Sequence, residues 1–97
     1  MNKIQQDVEQ YIRHLQSSLD KRKRAINFAI SQQGYCKGMA KMYYEDGDIE
    51  TYEDYAREIH EYANILKQLH KEQATETRML KFFENARSFA KALETCK

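Results

Sequence analysis

The chain contains no proline, and its only glycines are Gly34, Gly38 and Gly47. That scarcity of turn residues limits the possible folds more than anything the sequence does contain. Hairpins, sandwiches and barrels need frequent Gly, Pro, Asn or Asp punctuation between strands, whereas helices need it only at their ends. Ala, Gln, Glu and Lys, all good helix formers, are plentiful. Apolar residues recur in steps of three and four at Ile4, Val8, Tyr11/Ile12, Leu15, Leu19, Ile26 and Ala29/Ile30. The same spacing appears at Tyr52, Tyr55, Ile59, Tyr62, Leu66 and Leu69, and again at Met79, Phe82/Phe83, Ala86, Phe89/Ala90 and Leu93. The sequence therefore predicts a single all-α domain over residues 1–97.

Three places interrupt the pattern. In "SQQG" Gly34 suits the first residue past a helix end, with Tyr35 folding back on Ile30 as in a Schellman motif. The register persists at Met39, Met42 and Tyr43, so a helix running on through Gly34 and Gly38 is the alternative. "EDGD" is the clearest turn: Asp-Gly is a strong turn pair, Asp48 or Thr51 suits an N-cap, and Thr51-x-x-Asp54 resembles a capping box. The third weak stretch is "KEQATET", 71–77. Helices are accordingly expected over 3–33, 36–45, 50–72 and 76–95.

Counted outward from Gly47, the polar stretch 18–24 lies level with 70–76. A long α-hairpin turning at Asp46-Gly47-Asp48 would thus carry a polar waist on both arms. A small three- or four-helix bundle buries more surface and is the favoured arrangement; the hairpin would need to dimerise. The expected core is Ile12, Leu15, Leu19, Ile26, Leu66, Leu69, Leu80, Phe83 and Leu93. It is lean, since Leu, Ile, Val and Phe together number 18, and small domains with little core lean on partners. A formal net charge of +1 argues against a disordered chain.

Motif-borne chemistry is absent from the sequence. An EF-hand loop begun at Asp46 would place Thr51 where glycine is required and Arg57 where the bidentate glutamate belongs. "His60-Glu61-Tyr62-Ala63-Asn64" ends in Asn where a zinc-binding H-E-x-x-H needs histidine. No Gly-rich phosphate cradle and no nucleophile motif occurs. Cys36 and Cys96 fall in no C-x-x-C pair and are expected to be free thiols. No catalytic residue, metal or cofactor is expected, and the chain is read as a non-enzyme. Without an apolar run of ~18 residues or a signal-peptide core, it is expected to be cytoplasmic, with no membrane partner.

Charge is unevenly distributed. Residues 45–61 hold eight acidic side chains and one Arg, whereas residues 1–44 hold eight basic and three acidic ones. Tyr43, Tyr44, Tyr52, Tyr55 and Tyr62 accompany the acidic stretch. Tyrosine pairs a large apolar body with a polar tip, which suits an interface. Tyr43, Tyr44, Glu50, Tyr52, Glu53, Asp54, Tyr55, Glu58 and Tyr62 are therefore the candidate surface for a protein with a basic face. The functional expectation is a small modulator or inhibitor of a cytoplasmic protein, one that acts on nucleic acid among the options. By class-level analogy such proteins are common on phages and mobile elements. A homodimer is a further possibility. The alternative is a dimeric nucleic-acid-binding regulator using Lys21, Arg22, Lys23 and Arg24 as a basic collar. The acidic lobe, which would repel phosphate, makes that second reading the weaker one.

Overall fold

The computed structural model describes residues 3–95, which form two helices, α1 (Lys3–Glu45) and α2 (Ile49–Thr95). Among the described residues there is no strand, so the protein is all-α, and a helical hairpin accommodates both helices. No helix among these residues is long and apolar enough to cross a membrane.

The expected breaks at Gly34 and at 71–77 do not occur, and two helices stand where three or four were anticipated. The reason lies in a regularity finer than amphipathicity. On α1 the inward positions are Gln5, Val8, Ile12, Leu15, Leu19, Arg22, Ile26, Ala29, Gln33, Cys36, Ala40 and Tyr43, every one buried or half-buried. On α2 they are Tyr52, Tyr55, Ile59, Tyr62, Leu66, Leu69, Gln73, Glu76, Leu80, Phe83, Arg87 and Ala90, all half-buried. The steps alternate strictly between three and four, the ~3.5-residue period of a coiled-coil seam. Gly34 falls off this seam, and a Cβ there or at Gly38 would meet nothing within 4 Å. Each glycine costs the helix ~1 kcal/mol relative to Ala, but Gln33, Cys36 and Ala40 on the seam keep the helix intact around them. At 71–77 Gln73 and Glu76 hold seam positions in the same way.

The turn shows where the Schellman motif belongs. Gly47, at φ 80°, is the only residue with positive φ among those described. The Gly47 amide donates to the Tyr44 carbonyl at 3.2 Å and the Asp48 amide to the Tyr43 carbonyl at 3.0 Å, the paired bonds of that motif. Asp48 then caps α2: its carboxylate accepts the Thr51 amide at 3.2 Å and the Thr51 hydroxyl at 2.8 Å. One residue thus closes the first helix and opens the second. Thr51 is a ligand of the cap, not the cap itself.

The chain divides into two compact units. Unit 1 comprises, among the described residues, 3–22 and 72–95, and unit 2 is Lys23–Lys71 with the turn. In unit 1 the segments run antiparallel: Gln5 bonds Glu94, Glu9 pairs with Arg87 at 3.5 Å, Tyr11 stacks on Phe83 at 5.4 Å, and Arg22 pairs with Glu72 and Glu76. Its buried residues are Ile12 and Leu15. In unit 2 the buried residues are Ile26, Ala29, Cys36 and Ala40, all on α1. Large side chains on α2 (Tyr55, Ile59, Tyr62, Leu66, Leu69) line the other side of that seam, opposite an α1 edge on which Ala29, Cys36 and Ala40 are small and Ile26 is large.

The core is leaner than expected. Leu19, Leu66, Leu69, Leu80 and Phe83 are half-buried, and α2 has no fully buried residue. Leu93 is exposed, as are Ile4, Tyr11 and Ile30; each lies one position off the seam that a 3.5-residue period selects.

Candidate interaction surface

The tyrosines around the turn are joined in pairs within unit 2. Tyr43 and Tyr55, both on the seam, stack with ring centroids 5.7 Å apart and planes 11° from parallel. Tyr44 and Tyr52 meet at 5.3 Å with planes tilted by 58°. These offset geometries suit the ring quadrupole, and each pair bridges the turn. Tyr43, Tyr52, Tyr55 and Tyr62 are half-buried, whereas Tyr44 is 61% exposed. Tyr35, not among the candidates read from sequence, lies close enough to Tyr55 to act on its phenol. Burial first, then the Tyr35 and Tyr43 phenols and the Glu58 carboxylate, push the Tyr55 phenol up from its ordinary value of 10.0. No pattern in the sequence places Tyr35 near Tyr55, because that proximity depends on the antiparallel register.

The acidic side chains of the candidate surface, Glu50, Glu53, Asp54 and Glu58, are exposed, as is Glu61. Asp54 pairs with Arg57 at 3.5 Å one turn along the helix, with both groups well solvated. Such a pair contributes at most ~1 kcal/mol. Glu58 accepts a hydrogen bond from the Cys36 thiol at 3.3 Å. Burial, that hydrogen bond and the carboxylate charge all push the thiol above its ordinary 9.0. Cys36 is thus held protonated, the opposite of what a nucleophile or a metal ligand requires. Cys96 lies outside the described residues.

The basic collar is divided. Arg22 turns into the seam of unit 1 and pairs with Glu72 and Glu76, so it faces inward and is not presented to a ligand. Lys21 is exposed in unit 1, and Lys23 and Arg24 are exposed in unit 2. His14, His60 and His70 are exposed, and among the described residues no three His, Cys, Asp or Glu side chains come close enough to hold a metal ion.

No protein-family model matches the chain, and comparison with curated proteins and with solved structures likewise finds no match.

Proposed function

We propose that the protein is a non-catalytic helical module that binds another macromolecule, a protein with a basic surface, through the turn end of unit 2. The observation that supports this reading is the run of exposed carboxylates at the start of α2 beside the exposed ring of Tyr44. The helix macrodipole favours acids at Asp48 and Glu50, but its influence fades within the first turn. Glu53, Asp54 and Glu61 lie beyond it, and Arg57 is the one base interleaved among them. Carboxylates so placed steer a cationic surface and orient it, and Tyr44, braced by Tyr52, offers aromatic contact area that is already ordered. A modulator or inhibitor of a cytoplasmic, nucleic-acid-acting protein fits that chemistry, because such proteins carry basic surfaces that an acidic helix can occupy. The nucleic-acid-binding alternative is weakened by the inward position of Arg22.

A photo-cross-linking residue at position 44, compared with one at the exposed Ser31 in the same unit, tests the proposal in cells. The expected result is a cross-linked protein specific to position 44. Its association with the purified chain should slow when Glu50, Glu53 and Asp54 are reversed to Lys, with the difference fading at high salt. Equal cross-linking at both positions, or binding unaffected by the reversal, would overturn it.

A further inference from the structure

Unit 1 has one apolar side and one polar side, although its seam already uses the facing edges of both segments. Ile4 and Tyr11 on α1 and Met79, Phe82, Phe89 and Leu93 on α2 flank the seam on one side, and all six are exposed, with Asp7, His14 and Lys21 of α1 at its edge. Tyr11 stacks on Phe83 at 5.4 Å and Phe82 meets Phe83 edge-on at 5.4 Å, which ties the two segments' contributions into one surface. The other side carries Glu9, Arg13, Gln16, Thr77, Glu84 and Lys91. A two-helix layer wet on both sides would have no use for such a contrast.

We infer that this side of unit 1 is the interface with a second copy of the chain, two helix pairs packing face to face into a four-helix arrangement. The area available is enough for such an interface. Helical segments of this length are ~30 Å long, and two side by side are ~20 Å wide, which offers about 600 Å² per copy, or about 1,200 Å² over both, the lower end of what a specific interface buries. Phe82 and Phe89 project from it, and the same patch on a second copy can cover them in a two-fold interface. Charge favours the same occupant. Unit 1 holds eight basic and seven acidic side chains among its described residues, so two copies approach without net repulsion and an anionic membrane gains little attraction. This inference concerns a different unit from the acidic turn end and stands or falls independently of it.

Sedimentation equilibrium of the full chain tests it, with a fitted mass twice 11.6 kDa expected at micromolar concentration. Phe82 and Phe89 are 68% and 66% exposed, so Phe82→Glu with Phe89→Glu replaces no seam residue, removing only the edge-on contact of Phe82 with Phe83, and should weaken self-association by at least ~30-fold, the loss of a hot spot. Phe28→Glu, at a ring 63% exposed in unit 2, should leave it unchanged. A photo-cross-linking residue at position 82 in the otherwise native chain should capture a second copy, which keeps the test independent of how well the double variant folds. A monomeric wild-type chain, no chain-to-chain cross-link from position 82, or binding of the monomer to phosphatidylserine vesicles would overturn the inference.

Discussion

Arg22 on α1 and Glu76 on α2 both occupy seam positions in unit 1, and their side chains pair with each other inside it, Glu72 adding a second carboxylate to Arg22. An apolar pair would bury more favourably there. Arg22 Nε and Glu76 Oε2 are buried without a hydrogen-bond partner, so the layer carries a desolvation cost. Its benefit is registration. A slip of one heptad would set Arg22 against Leu69 or Phe83, and a buried guanidinium facing an apolar side chain is strongly disfavoured. Removing one partner, as in Arg22→Ala or Glu76→Ala, should cost ~1–3 kcal/mol in urea unfolding, because Glu76 is left partly buried without its cation in the first and Arg22 keeps only the more exposed Glu72 in the second. Arg22→Leu with Glu76→Leu should be neutral or stabilising by up to ~4 kcal/mol, and its amide NMR spectrum should reveal more than one register.

The glycines should respond in opposite directions. At Gly34 and Gly38 a methyl group meets nothing, so Gly34→Ala and Gly38→Ala should each stabilise by ~0.5–1 kcal/mol. At Gly47 the space is equally open, but φ is 80°. Gly47→Ala should destabilise by about 1 kcal/mol or more through backbone strain alone. Thermal unfolding of the three variants checks both signs.

Tyr43 and Tyr55 should be coupled. In a double-mutant cycle with Leu at each position, the interaction energy should be ~0.5–1.5 kcal/mol, the range for well-placed aromatic pairs. A coupling near zero would mean that the rings are merely adjacent.

Phe83→Ala should cost ~1–3 kcal/mol, below the ~3–5 kcal/mol of a fully buried ring, because Phe83 is half-buried and its stacking partner Tyr11 is itself exposed. Leu93→Ala, at an exposed position, should change the stability of the monomer by no more than ~0.5 kcal/mol.

Alkaline pH should weaken unit 2. Cys36 and Tyr55 have folded-state values raised above the ordinary 9.0 and 10.0. For groups raised in this way, the stability contribution is fully present below the unfolded value and is lost as pH rises through the folded one. The urea midpoint should therefore hold up to about pH 9 and fall beyond it as thiol and then phenol ionise first in the unfolded chain. Combining Cys36→Ala with Tyr55→Phe should lower the starting stability and flatten the decline.

Helicity was legible in the sequence because it is a local property. The absence of proline and the three-and-four spacing of Ile12, Leu15, Leu19, Leu66 and Leu69 each act within a few residues of chain. The polar waist was visible too, since 18–24 and 70–76 lie level about Gly47, but its meaning was not. Read locally, Arg22 belongs to a run of four basic residues, and only a facing helix makes it one half of an internal ion pair. Gly34 misled for the same reason. Its propensity cost is local and readable, whereas the seam contacts of Gln33, Cys36 and Ala40 that outweigh it come from the other helix.

The sequence by itself thus determined that this chain is helical, where it can turn, and how its charge is distributed, because propensity, turn chemistry and net charge are summed along the backbone. Only the tertiary structure decided that the helices run unbroken, that Cys36 and Ala40 are core while Leu93 is not, and that the tyrosines pair across the turn. Each of those depends on which residues of α2 lie opposite which residues of α1. Register is a relation between two segments, set by packing the seam and matching Arg22 to its carboxylates, and no single stretch of sequence contains it.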